Sequence, residues 1–192
     1  MLRQLLVVSA VVLISFGTVG WVAAQSGSRD DAPPPDRNRT GTNGVQSNQG
    51  SGQRAAPSFE EQLWTYLQQT QYRNWAPLPG QTDEAYEGHG PHGDKVKLYV
   101  NRPAAGRSVE LPNGAVLVKE NYDATGTKLM AITVMYRSKG FAPDSGDWHW
   151  TKYEPNGEVS TMNGMRVAGR VNMCIECHKS AGGGDYVFAN DR

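Results

Sequence analysis

The 192-residue chain carries no net charge, because 19 lysines and arginines stand against 19 aspartates and glutamates. With no long-range field of either sign, nothing steers the protein towards nucleic acid or an anionic surface. Cysteine is nearly absent, two in the whole chain, and histidine stops at four. Two thiols cannot complete a four-cysteine zinc site, and the absence of cysteine after the N-terminal apolar run sets lipid attachment there aside. No internal repeat is visible.

What is present begins with "MLRQLLVVSAVVLISFGTVGWVAAQS". One early cation, Arg3, precedes a long apolar run from Leu5, and the small residues Ala23 and Ala24 sit ahead of Gln25, the layout of a secretory signal. The run, at about 20 residues, also exceeds the usual signal core and suffices to span a bilayer. Residues 1–24 are therefore read as a signal peptide or a membrane anchor, with residues 5–24 as the tether in the second case. Either reading places the rest of the chain in the periplasm, free or held at the inner membrane. Residues 25–57, rich in Gly, Ser, Asn, Pro and Arg, have little to bury and read as a disordered linker, with a reach of roughly 30 Å. Residues 58–192 suit one compact domain.

Within that domain Ser58 and Glu61 form the S-x-x-E pattern of a helix start, and Phe59, Leu63 and Leu67 recur every four residues. The prolines at 77 and 79 follow the helix. In "KVKLYVN", Val96, Leu98 and Val100 alternate with Lys95, Lys97 and Tyr99, the period of a half-buried strand. "LPNGAVLVKENY", "DATGTKLMAITVMYR" and "PDSGDWHWTKYEPNGEV" repeat the turn-then-strand pattern. Short turns between successive strands imply antiparallel pairing. The expected fold is mainly β with some helix (α+β): a twisted antiparallel sheet, an N-terminal helix, and a short C-terminal helix bearing "NMCIECHKS".

That last stretch holds both cysteines. Covalent c-type haem requires two thiols spaced for two vinyl groups and an imidazole beside the second thiol to reach the iron. Cys174, Cys177 and His178 meet all three demands, giving one covalent haem c per chain with His178 as the iron ligand. A zinc half-site would have to recruit His89, His92 or His149. A thioredoxin-type dithiol belongs early in a βαβ unit, and a disulfide across two residues closes too small a loop to stabilise much. The second iron position decides between an electron carrier and a ligand-binding site. Met130, Met135, Met162, Met165, Met173 and the three other histidines are the candidates, against the plainer reading of methionines as core filler and of His89 and His92 as loop residues. In "AVLVKENY", Val116 and Val118 share a face with Glu120 while Ala115 and Leu117 share the other with Lys119, so either buried face carries a charge inward. Lys119 either snorkels to water or points into the haem pocket, where desolvation makes its amine neutral and nucleophilic.

The segments "EGHGPHGDKVKLYVNRPA", "LPNGAVLVKENY", "ITVMYRSKGFAPDSGDWHWTKY", "GRVNMCIECHKSA" and "GGDYVF" resemble, in content and order, the cytochrome P-460 and cytochrome c′-beta family of monohaem c-type cytochromes. The resemblance implies a mostly antiparallel β fold, often dimeric, with a five-coordinate haem c. It maps Cys174 and Cys177 to the thioether positions and His178 to the proximal ligand. In hydroxylamine-oxidising members a lysine in a strand reading like "TVTVKE" is cross-linked to the porphyrin, and Lys119 matches that position as a cofactor-binding and catalytic candidate. The distal carboxylate of those enzymes falls at Ile132 or an apolar neighbour when "GDW" is aligned. The resemblance thus implies an apolar distal wall, open to a small ligand such as nitric oxide but unsuited to proton relay.

Three functions follow. The first is a periplasmic haem c protein with an open iron site that binds or redox-converts nitric oxide or hydroxylamine, a possible oxidoreductase. The others are a six-coordinate electron-transfer cytochrome, working with a partner cytochrome, and a non-catalytic gas sensor or scavenger.

Overall fold

The computed structural model describes residues 34–37, 55–106 and 110–188. The signal or anchor segment lies outside the described residues, as does most of the linker. The short piece 34–37 lies against the domain, with the Arg37 guanidinium 5.2 Å from the Phe59 ring and 4.9 Å from the Phe141 ring.

Helix α1, Phe59–Gln69, starts where Ser58 accepts from the Glu61 amide and the Glu61 carboxylate accepts from the Ser58 amide. That reciprocal cap satisfies two backbone donors a helix start leaves unpaired. Phe59, Leu63, Tyr66 and Leu67 are all buried on one face. Six strands form a single antiparallel sheet in the order β1-β2-β3-β4-β5-β8: Tyr86–Glu87, Lys95–Val100, Val116–Tyr122, Leu129–Arg137, Trp148–Tyr153 and Ala168–Gly169. A separate hairpin pairs β6, Thr161–Met162, with β7, Met165–Arg166. A one-turn helix, α2, spans Arg102–Ala105, and α3 spans Asn172–His178. The mainly β architecture expected from the strand periodicities is the one observed.

Both faces of the sheet are covered. On one, Val116, Val118, Ile132, Val134 and Tyr153 pack against the apolar side of α1. On the other, Leu98, Val100, Leu117, Met135, Trp148 and Trp150 pack with Leu78, Leu111, Ile175 and Val187. The half-buried reading of β2 is corrected at Tyr99, which is buried beside the α1 core although it alternates with Leu98. The strand therefore divides its side chains between two cores instead of between core and water.

The two charges predicted to point inward from β3 both do so, on opposite faces. Glu120 is fully buried on the α1 side. It accepts from Tyr72 Oη at 2.7 Å, Arg73 Nε at 2.6 Å, Tyr122 Oη at 2.6 Å and Tyr99 Oη at 3.1 Å. Burial pushes its carboxyl up, and the tyrosine hydroxyls and Arg73 outweigh that, leaving it below the usual range. Lys119, one residue earlier, emerges on the other face, where α3 and the sheet enclose a cavity.

Candidate haem-binding site

The cavity holds about 490 Å³, within the roughly 300–1,000 Å³ of cofactor pockets. The sheet supplies Leu98, Lys119, Thr133, Met135, Trp150 and Lys152 to its wall, and α3 supplies Cys174, Cys177 and His178. Sheet register explains the first group. Lys119 sits opposite Leu98 on β2 and Thr133 on β4, and Thr133 in turn opposite Lys152 on β5, so these side chains share one face.

Cys174 and Cys177 are both free thiols, and both line the cavity. Burial, with the charge of Cys177 second, pushes the Cys174 thiol up to about 11. The disulfide reading is set aside, and among the described residues no group of three or more His, Cys, Asp or Glu is placed to hold a metal ion such as zinc.

His178 closes α3 with its ring between Trp150, at 4.7 Å and 62°, and Phe188, at 5.2 Å and 63°. Its Nδ1 lies 2.8 Å from the carbonyl oxygen of Tyr186. A carbonyl only accepts, so Nδ1 carries the proton and Nε2 keeps its lone pair, the tautomer a metal-binding imidazole requires. The segment presenting that carbonyl is itself anchored. Asp185 accepts from the Leu111 amide at 2.7 Å and pairs with Arg137, while Trp148 Nε1 donates to the Asp185 carbonyl at 3.0 Å. Burial lowers the basicity of His178.

On the sheet side, burial lowers the basicity of Lys119, and only the nearby Cys177 sulfur works against it. The pocket-facing reading of Lys119 is the one the structure shows. Asn121, two residues on and on the same face, donates from Nδ2 to the carbonyls of Lys119 at 3.0 Å and Ala131 at 3.2 Å, and to Thr133 Oγ1 at 3.3 Å. Its Oδ1 faces His92 Nδ1 at 3.0 Å. His92 reaches this position from the loop between β1 and β2, closed by a Gly88 amide to Asp94 carbonyl bond of 2.8 Å. Gly93 allows the approach, since a Cβ there would meet the Tyr122 carbonyl oxygen at 2.2 Å and its amide nitrogen at 2.7 Å. Burial, then the Lys119 charge, depresses the His92 imidazole to about 4, leaving it neutral at pH 7. Its ring centre lies 6.1 Å from that of His178.

Several sequence expectations are corrected here. Ile132 does not face the cavity. It is buried against α1, and the position opposite Lys119 belongs to Thr133, because neighbouring residues on a strand point to opposite faces. The wall expected to be apolar therefore contains a polar cluster of Lys119, Thr133 and His92, tied together by hydrogen bonds to Asn121. His149 is not a candidate ligand, since it lies in the α1-side layer, its Nε2 3.1 Å from Glu60 and its ring against Phe59. Met130 and Met165 are exposed and do not line the cavity, whereas His89, Met135, Met162 and Met173 do. Sequence reasoning passed over Asn121, Trp150 and Lys152. Strand parity with Lys119 could have found Asn121, and the W-x-W spacing could have placed Trp148 and Trp150 on one face.

The residues present fit a haem. Two thiols and a bare imidazole nitrogen occur together on one short helix, beside an apolar wall of Leu98, Met135 and Trp150. The Trp150 indole N–H is buried with no hydrogen-bond partner among the described residues, and Lys119 and Lys152 add two amine donors, a donor set suited to the carboxylates of a porphyrin. The family model described as Cytochrome P460 matches residues 69–189, well over half the chain. The chain belongs to the cytochrome P460 family. Its cofactor is covalently attached haem c, and the family relates it to the chemistry of small nitrogen species. No match was found among curated proteins.

Proposed function

We propose that this is a periplasmic haem c protein with an open iron position that binds or redox-converts a small nitrogen species, nitric oxide or hydroxylamine. The observation that carries the reading is the convergence of Cys174, Cys177 and the bare Nε2 of His178 on one wall of a single cavity. The thiols of Cys174 and Cys177 would hold the porphyrin through thioethers, and His178 would bind its iron. The bound iron supplies the ligand affinity and the electron chemistry. The protein's own groups do the rest: the Tyr186 carbonyl fixes the His178 tautomer, Trp150 and Phe188 fix its ring, and the apolar wall restricts water. Lys119 supplies an amine whose neutral form is favoured by burial. The apolar run at residues 5–24 supports export, with or without retention at the membrane.

A six-coordinate electron carrier is the second reading, and it has an observation of its own in the closeness of His92 to His178. Absorption spectra of the reduced protein with and without carbon monoxide or nitric oxide separate the two. The open site is expected to give a high-spin spectrum that shifts on addition of either gas. A low-spin spectrum unchanged by both gases would exclude it.

A further inference from the structure

Beside Lys119, the cavity contains a second nitrogen base whose orientation is fixed by hydrogen bonds. The Asn121 amide cannot flip, because its Nδ2 has two hydrogens and faces the Lys119 and Ala131 carbonyls, which only accept. Its Oδ1 is therefore what His92 meets at 3.0 Å, and an amide oxygen only accepts. The proton of His92 is thus on Nδ1. Thr133 Oγ1, 3.4 Å from the same nitrogen, is the neighbouring oxygen. Nε2 makes no hydrogen bond among the described residues, and the ring that carries it lines the cavity 6.1 Å from His178. The arrangement matches the one at His178, where the Tyr186 carbonyl holds the Nδ1 proton. Of the three imidazoles lining the cavity, His178 and His92 are therefore two whose Nδ1 proton is held by an oxygen, and only His178 is on the helix that bears the thiols.

We propose that His92 is the ligand-recognition residue of this cavity, its Nε2 accepting a hydrogen bond from an O–H or N–H of the small molecule bound there. Asn121 is the positioning residue that keeps Nε2 bare. This rests on the open-site reading and deepens it. A ligand with a donor, such as hydroxylamine, gains a contact that nitric oxide cannot make. A neutral hydrogen bond of this kind corresponds to about a tenfold change in affinity.

The test uses the full chain matured with its haem, in the ferric state and without oxygen, titrated spectroscopically with hydroxylamine and, separately, with nitric oxide. His92→Phe keeps the ring's bulk and removes the acceptor. It is expected to raise the hydroxylamine Kd about tenfold and to leave that of nitric oxide within about twofold. Asn121→Leu, which frees the imidazole to change tautomer, is expected to act in the same direction and covers the case in which His92→Phe fails to accumulate. Equal shifts for both ligands, or no shift for either, overturn the proposal. So does a low-spin wild type that becomes high-spin in His92→Phe, which would make His92 an iron ligand. A wild type that binds neither ligand, with a spectrum unaffected by His92→Phe, takes the open-site reading down as well, and that pattern is distinct from the others.

Discussion

Replacing Glu120 by alanine tests whether the buried carboxylate behind Lys119 holds the sheet together. Four donors converge on it, and three are tyrosine hydroxyls. Arg73 contributes little to the cost, since its side chain is 55% exposed and water can replace the carboxylate. Tyr72 and Tyr99 have no such recourse, being 2% and 6% exposed. Each orphaned buried hydroxyl costs about 1–3 kcal/mol, and breaking one side of a buried polar cluster costs about 3–5 kcal/mol in total. For a domain of this size 1 kcal/mol moves the melting temperature by about 3–5 °C, so Glu120→Ala is expected to lower it by about 10–20 °C. Tyr72→Phe, losing one hydrogen bond, is expected to cost about 1 kcal/mol. The assay is thermal unfolding of the haem-loaded protein at pH 7, followed by circular dichroism. The sign with pH is also fixed. The folded carboxyl lies below its ordinary 4.5, so its contribution is present above that pH and is lost as the pH falls through the folded value. A drop of less than about 3 °C for Glu120→Ala would refute the reasoning.

Burial leaves His149 less basic than its ordinary 6.5 despite the Glu60 carboxylate, so its neutral form stabilises the fold above that pH. The melting temperature is expected to be flat above about pH 6.5 and to fall below it. His149→Gln should flatten that slope, and an unchanged slope contradicts the assignment. Gly93→Ala is expected to lift the His92 loop from Tyr122, lowering stability by at least 1 kcal/mol and weakening hydroxylamine binding; unchanged melting and binding contradict the packing. Lys119 lies in the cavity with its amine made less basic by burial; joining it to a porphyrin carbon replaces a C–H bond and takes a two-electron oxidant, so after exposure of the haem-loaded protein to hydrogen peroxide, peptide mass spectrometry is expected to find the Lys119 peptide joined to the haem peptide. Recovery of a free Lys119 peptide counts against that linkage.

Much of the fold is written in local pattern. The capping pair Ser58 and Glu61 and the fourfold spacing of Phe59, Leu63 and Leu67 specify α1 before any tertiary contact is known. The turn-and-strand rhythm likewise gives β3, β4 and β5, because each turn is short and each strand alternates. What local pattern could not give was which partner covers each face. Tyr99 reads as an outward residue and is buried because the turn after α1 lays the Tyr72 ring 5.6 Å from it. Ile132 fails as a site residue for a related reason. An alignment anchored at "GDW" carries no information about strand parity, and a shift of one residue exchanges the two faces. Cys174, Cys177 and His178 stand out in the sequence because the chemistry read from them requires a fixed local spacing. The role of His92 depends on Asn121, 29 residues away, and on Gly88 and Gly93, where a Cβ would run into neighbouring backbone.

The most direct test of the central claim is mass spectrometry of peptides from protein matured in a host that attaches haem to cytochromes c. The peptide containing Cys174 and Cys177 is expected to carry one haem, still bound after denaturation and acid extraction. The same peptide recovered with two free thiols, from colourless protein, would contradict the account.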